Sequence, residues 1–85
     1  MTITVYTKPG CFPCRKTIEK FQAAGIEPQI VDLIQTPAAL EYVTEDLGYS
    51  QAPIVVIDEN FHWSGLNPGC IDRAIATLTQ HTPGQ

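Results

Sequence analysis

The tetrapeptide Cys11-Phe12-Pro13-Cys14 lies where a strand-like stretch gives way to a helix-like one, and this junction constrains the fold more than any other feature. Residues 2–6 are β-branched or aromatic, which predicts a first strand. Lys8-Pro9-Gly10 ends that strand, and a helix is predicted over 12–24. Two cysteines are therefore expected at the start of a helix that directly follows a strand.

The rest of the chain continues this alternation of short strands and helices, with no repeat and no linker. Apolar runs and Asp, Asn, Gly or Pro breaks predict further strands at 28–32, 54–57 and 61–63, with a three-residue hairpin loop at 58–60 in which Asn60 would tolerate a left-handed conformation. Thr36-Pro37 and Asn67-Pro68 are N-cap and N1 pairs, which predict helices over 37–47 and 68–78.

The predicted order is β-α-β-α-β-β-α. A helix between the first two strands implies a parallel pair with a right-handed crossover, and the last two strands form an antiparallel hairpin. This arrangement is an α/β fold in which a four-stranded mixed sheet is flanked by three helices, the minimal thioredoxin-type fold. We expect one domain over 1–80 and a frayed tail at 81–85.

Side chains at helical spacing indicate which faces of the three helices are buried. The apolar centre of the second strand should be Ile30 and Val31. The predicted helical stripes are Cys14, Ile18 and Phe21 in the first helix, Leu40, Val43 and Leu47 in the second, and Ile71, Ile75 and Leu78 in the third.

Composition excludes several classes of protein. The 85 residues carry a net charge of −4, which disfavours a nucleic-acid partner. No apolar run approaches the ~20 residues that span a bilayer, and no signal peptide precedes the first strand, so we expect a cytoplasmic protein. Three cysteines in such a chain favour redox or metal chemistry over a disulfide scaffold.

The charge is unevenly placed. Four of the five basic residues lie in 8–20, where only Glu19 opposes them, so that segment carries +3 and the rest carries −7. These basic residues either supply a positive field around the cysteines or form a solvated helix face. They are Lys8, Arg15, Lys16 and Lys20.

Thiol–disulfide exchange needs a thiolate, and Cys11 is placed to provide one. Unpaired N–H groups and the positive dipole end at the helix start favour an anion, so we expect the pKa of the Cys11 thiol to lie below its ordinary value. Cys14, one turn further in, is then the resolving thiol. Pro13 keeps the first turn rigid, and Phe12 offers an exposed apolar face. No bound cofactor is expected beyond the Cys11–Cys14 disulfide itself.

A second element is Pro53, which opens a buried strand after Ala52 and is a candidate cis-proline. A cis bond would present the backbone of Ala52 to an incoming peptide or thiol.

Alternative interpretations remain for these residues. The Cys11–Cys14 pair could be half of a zinc site, with donors from Cys70, His62 or His81, in a binding module rather than an enzyme. Cys70 is otherwise a small packing residue, His62 an exposed edge residue and His81 a tail residue. Trp63 is as readily a core aromatic as a docking residue.

Three segments resemble a known family. Lys8-Pro9-Gly10-Cys11-Phe12-Pro13-Cys14 resembles the opening of a glutaredoxin. Gly48-Tyr49-Ser50-Gln51-Ala52-Pro53-Ile54-Val55 and His62-Trp63-Ser64-Gly65 are similar to the NrdH redoxins, which are glutaredoxin-like in sequence and thioredoxin-like in activity. The resemblance covers residues 1–78 and implies a thioredoxin/glutaredoxin-type fold.

The resemblance also implies a function. Such proteins take electrons from NADPH through thioredoxin reductase and pass them to the large subunit of class Ib ribonucleotide reductase. A monomer is expected. Cys11 and Cys14 match the redox pair, and Pro53 the cis-proline. Lys8, Phe12, Pro13 and Ala52, with Trp63, Ser64 and Gly65, are the implied partner-binding residues.

The chain departs from both patterns. Leu66-Asn67-Pro68-Gly69 stands where NrdH redoxins continue with Phe, a basic residue, Pro and an acid. Lys8, which helps glutaredoxins hold glutathione, is kept, and so is Phe-Pro between the cysteines. Gln51-Ala52-Pro53 replaces Thr-Val-Pro, and 64–68 lack the Gly-Gly and acidic helix start that hold the γ-glutamyl end. A glutathione-dependent glutaredoxin is therefore the alternative function.

Overall fold

A computed structural model describes residues 3–80 and contains one four-stranded sheet with helices on both faces. The predicted order of elements is confirmed. The second helix continues as a π-helical turn, Tyr42–Asp46, which the sequence did not predict. The strands are β1 (Thr4–Thr7), β2 (Gln29–Asp32), β3 (Ile54–Asp58) and β4 (Phe61–Ser64), and the helices are α1 (Phe12–Ala23), α2 (Pro37–Glu41) and α3 (Pro68–Gln80). The tail predicted at 81–85 lies outside the described residues.

The sheet has the strand order β2-β1-β3-β4. β1 and β2 are parallel, as expected of strands joined through a helix, and the other two pairings are antiparallel. The hairpin loop is shorter than predicted, since Asp58 belongs to β3 and pairs with Phe61. Asp58 accepts the backbone N–H of Asn60 at 2.7 Å, and no described residue other than glycine has a positive φ, so Asn60 does not use the left-handed conformation.

Alternate residues of the central strands pack on opposite faces of the sheet. Val5, Val55 and Ile57 join Phe21 of α1 and Ile71 of α3 in one core cluster. Ile54 lies in a second cluster on the other face, with Val43 beside α2. The unbroken apolar run of β3 is explained by this burial on both faces.

Two predicted core residues are exposed. Ile30, expected at the apolar centre of β2, is 51% exposed because β2 is an edge strand. Leu40, expected on the buried face of α2, is 42% exposed, since α2 ends one residue later and the chain changes to the wider π-helical turn. Thr36 precedes α2 as predicted, but its side chain makes no capping hydrogen bond.

The other predicted stripes are largely confirmed. Cys14, Phe21, Val43 and Ile71 are buried, and Ile18, Leu47, Ile75 and Leu78 are half-buried against the two clusters. Within residues 3–80, no helix combines the length and apolar character needed to cross a membrane.

Candidate active site

The cysteine motif begins α1, as predicted. Cys11 is the N-cap residue, with extended backbone, and its Sγ accepts the backbone N–H of Cys14 at 3.1 Å. Pro13 lies in the first turn, where the N–H that it lacks would have no helical partner. Gly10 turns the chain from β1 into the helix with φ of 73°, a conformation that side-chain-bearing residues rarely adopt. The local sequence thus places a sulfur atom at the positive end of α1.

Cys11 and Cys14 form a disulfide, with their Cα atoms 5.2 Å apart. The two sulfurs differ in access to solvent. Cys14, in the first turn of α1, is 3% exposed, whereas Cys11 is half-buried. A substrate can therefore reach Cys11 first, which supports its assignment as the attacking thiol and that of Cys14 as the resolving thiol.

Strand register brings the other predicted site residues to the same end of the sheet, where strands begin or end. β3 begins where β1 ends, because Tyr6 pairs with Ile54. β4 ends beside that point, because Ser64 also pairs with Ile54. The segments that meet here are Lys8 to Cys11 after β1, Ala52 and Pro53 before β3, and Ser64 and Gly65 at the end of β4. The Ala52–Pro53 peptide bond is cis, as predicted.

Three hydrogen-bonded links join the segment 49–53 to β4 and to Gly65, the residue after it. Gly65 donates its N–H to the Pro53 carbonyl at 2.8 Å, and the Ser64 hydroxyl donates to the Gln51 carbonyl at 2.5 Å. The Tyr49 hydroxyl lies 2.7 Å from Nδ1 of His62 and 3.2 Å from its carbonyl oxygen. These links hold the cis-proline at the end of the sheet where β1 ends and β3 begins.

The Tyr49–His62 link was missed at the sequence level. His62 was expected to be an exposed edge residue, but it is half-buried and bonded to Tyr49. Nothing local signals the pair, since its members are 13 positions apart and meet only when β4 pairs with β3.

A shallow groove of about 500 Å³ runs from the disulfide along α1. Its walls include Thr7 at the end of β1, Lys8 after it, the N-cap Cys11, and Arg15, Ile18 and Gln22 on one face of α1. Phe12 also lines the groove and is 62% exposed, as expected of an apolar contact surface. Lys8 also lines a smaller apolar cavity of about 150 Å³ that includes Ala52, Leu40 and Tyr49.

Trp63 lies in the core rather than at the surface. It is 6% exposed and packs against Phe61 with ring centroids 5.3 Å apart. Its Nε1 is buried and has no hydrogen-bond partner among the described residues. The Trp63 ring is therefore covered by the core cluster that contains Phe21 and Val55.

Of the proposed zinc donors, Cys70 and His62 lie in the described part of the chain, and neither completes a metal site with the cysteine motif. Cys70 is half-buried at the start of α3 and packs against the core cluster around Phe21, consistent with a packing role. Asn67 caps α3 as predicted, with its Oδ1 accepting the Cys70 N–H at 3.1 Å. Between Ile3 and Gln80, no group of three or more His, Cys, Asp or Glu side chains is arranged to hold a metal. His81 lies outside this part of the chain.

The N-cap geometry leads to a testable difference between the two thiols. In the reduced protein, the Cys14 N–H and the helix dipole should stabilise the Cys11 thiolate, so we expect the pKa of Cys11 to lie below its ordinary value and below that of Cys14. The measurement is the rate of iodoacetamide alkylation of each cysteine against pH, by mass spectrometry of reduced protein. Cys70 serves as the internal control. Equal reactivity of Cys11 and Cys14 at neutral pH would contradict the N-cap explanation.

Comparison with known proteins agrees with this geometry. The glutaredoxin family model matches residues 3–62, more than half of the chain. The Gene 56 protein of Mycobacterium phage L5 is 38% identical over 82 residues, covering 96% of this chain and 80% of that protein. The glutaredoxin-like protein NrdH of Salmonella typhimurium is 32% identical over 73 residues, covering 86% of this chain and 88% of its own.

Among solved structures, the NrdH-redoxin of Escherichia coli superposes with a TM-score of 0.79 at 30% identity, covering 86% of this chain and 93% of its own. That protein is described as glutaredoxin-like with a thioredoxin-like activity profile. The disulfide at the start of α1, the cis-proline at the start of β3 and these matches lead to one assignment. The chain belongs to the glutaredoxin family, as a thiol–disulfide oxidoreductase of the glutaredoxin-like NrdH-redoxin type.

Proposed function

We propose that this protein is a dithiol electron carrier that is reduced by thioredoxin reductase and that reduces the large subunit of class Ib ribonucleotide reductase. The observation that carries the proposal is the accessible Cys11 sulfur at the start of α1, with the buried Cys14 one turn behind it. The NrdH likeness adds the identity of the partners. NADPH is the ultimate electron source, and we expect the carrier to act in the cytoplasm as a monomer.

The reaction is a two-electron exchange. The Cys11 thiolate attacks one sulfur of the substrate disulfide, forming a mixed disulfide and releasing the other sulfur as a thiolate, which takes up a proton. The Cys14 thiol then loses its proton and attacks Cys11. The second substrate thiol leaves, and the Cys11–Cys14 disulfide remains. The substrate gains two electrons and two protons, which the reductase returns to the carrier.

Two features favour this electron chain over glutathione. The first turn of α3 contains no acidic residue, and the N–H of Cys70 there is already bonded to Asn67. The Ser64 hydroxyl and the Gly65 N–H are likewise bonded within the protein, to Gln51 and Pro53. The groups that would hold the γ-glutamyl end of glutathione are therefore replaced or engaged. Lys8 is exposed and is the feature that glutathione could still use.

The proposal is tested by comparing two electron sources. With NADPH and thioredoxin reductase, we expect this protein to support continuous reduction of an aromatic disulfide. With NADPH, glutathione and glutathione reductase, the rate should be lower by at least about tenfold, since most contacts to glutathione are missing. The converse pattern would establish the glutaredoxin alternative. A glutathione adduct on the Cys14→Ser variant, detected by mass spectrometry, would support the same alternative.

The acceptor needs its own assay. Purified class Ib ribonucleotide reductase, without added dithiothreitol, should turn over repeatedly only when this protein, thioredoxin reductase and NADPH are all present. Omitting this protein is the control. Turnover that is unchanged by its omission would contradict the acceptor assignment, and stoichiometric zinc in protein purified under reducing conditions would support the binding-module alternative.

A further inference from the structure

The groove along α1 contains positive charge that the protein itself does not neutralise. Lys8 and Arg15 line it and are exposed, and neither has an ion-pair partner within residues 3–80. The other charged residue lining the groove is Glu19, which is paired with Lys16 at 3.8 Å. Lys16 also lies over the Phe12 ring, 5.4 Å from its centroid, and does not line the groove. The groove therefore presents two free cations and one compensated anion.

The rest of the chain carries a net charge of the opposite sign. Outside 8–20, the chain carries −7, so an acidic partner is repelled by most of the surface and attracted at this segment. This charge asymmetry attracts an anionic substrate toward the segment that contains Cys11. The positive charge of the groove therefore favours a negatively charged ligand.

The shape of the groove selects an extended segment. Cys11, Arg15, Ile18 and Gln22 are spaced at helical intervals along one face of α1, so the groove runs along the helix from the sulfur. Ile18 is half-buried and supplies an apolar contact. Neither Ala52 nor Pro53 lines this groove, so it is separate from the cis-proline side of the disulfide.

We propose that this groove binds an extended segment of the protein substrate with a carboxylate about two residues from the attacked cysteine, since Cys11 to Arg15 is about 6 Å of helix rise and an extended chain advances about 3.3 Å per residue. Arg15 pairs with that carboxylate, and Lys8 adds to the field at the mouth of the groove. The inference rests on the proposed dithiol function and specifies its substrate class.

The test uses stoichiometrically reduced full-length protein and short peptides, so that no reductase is needed. Each peptide carries one cysteine as a mixed disulfide with 2-mercaptoethanol, and Asp or Asn stands two residues before or after it. Single-turnover reduction is followed by chromatography and normalised to the neutral 2-hydroxyethyl disulfide. For one of the two placements, we expect the Asp peptide to react about fivefold faster than its Asn partner at low ionic strength, with the ratio approaching one in high salt.

Three single-charge variants separate the groove from a general field. Arg15→Gln should reduce the Asp-to-Asn ratio to below about two, and Glu19→Gln should increase it, because it removes a like charge from the groove. Lys20→Gln is the matched control, since Lys20 is exposed on the same helix but does not line the groove. Its ratio should equal that of the wild type.

Three results would overturn the inference: a ratio near one for both placements, equal losses in Arg15→Gln and Lys20→Gln, or, with oxidised glutathione assayed as an additional substrate, an Arg15 dependence seen with glutathione and with neither peptide pair. In each of these cases, normal reduction of the neutral disulfide leaves the dithiol function standing. Failure to reduce the neutral disulfide would instead overturn both the function and the inference.

Discussion

Cys11→Ser protein should reduce no disulfide substrate, whereas Cys14→Ser protein should react once and stop as a stable mixed disulfide. The difference follows from access, because Cys11 is at the surface of the motif and Cys14 is 3% exposed behind it. A serine hydroxyl is not ionised at neutral pH and cannot replace the attacking thiolate. We expect turnover of Cys11→Ser to fall by on the order of 10³-fold or more. In Cys14→Ser, attack by Cys11 remains but nothing resolves the adduct.

The measurement is mass spectrometry of each reduced variant after mixing with a disulfide peptide, beside steady-state turnover. Cys70→Ser is the matched control, since Cys70 is outside the disulfide and packs against the core cluster around Phe21, so this variant should keep turnover close to that of the wild type. Two results would contradict the assigned roles. One is a Cys11→Ser protein that keeps a tenth of the wild-type turnover. The other is a Cys14→Ser protein in which the mixed disulfide with the peptide forms on Cys70.

Phe21→Ala should cost about 3–5 kcal/mol in the free energy of unfolding, the range for emptying a buried Phe site. Phe21 is 0% exposed and joins α1 to the core cluster that contains Val5, Val55 and Ile71. The total free energy of unfolding of a small domain is only about 5–15 kcal/mol, so this variant should be partly unfolded near physiological temperature. Activity would then be lost with the fold, because α1 positions both cysteines.

Phe12→Ala is the matched control on the same helix. The Phe12 ring is 62% exposed, and its described ring contact is with Lys16, so we expect a change within about 0.5 kcal/mol. Both values come from urea denaturation of the oxidised proteins, compared at equal m values. Similar midpoints for the two variants would show that α1 is not held to the sheet through Phe21.

Much of the candidate site could be predicted because its determinants are close together in sequence. A strand, a Gly turn, a cysteine cap and a first-turn proline occupy 4–14 and specify a sulfur at a helix start. Ala52–Pro53 was identified in the same way, from a proline at the entrance to a buried strand. Solvent exposure was harder to predict. Ile30 and Leu40 have the hydrophobicity of core residues, but Ile30 lies on an edge strand and Leu40 near the end of a short helix.

The order of elements, the cysteine motif at the start of α1 and the buried central strand follow from local sequence, because turn residues, caps and hydrophobic periodicity act over a few positions. The contacts at the end of the sheet where β1 ends and β3 begins depend instead on how the elements pack. The Tyr49–His62 link, the covered ring of Trp63 and the groove between Lys8 and Arg15 depend on strand register and helix packing. Those contacts join distant parts of the chain, and no local pattern encodes the distances between them.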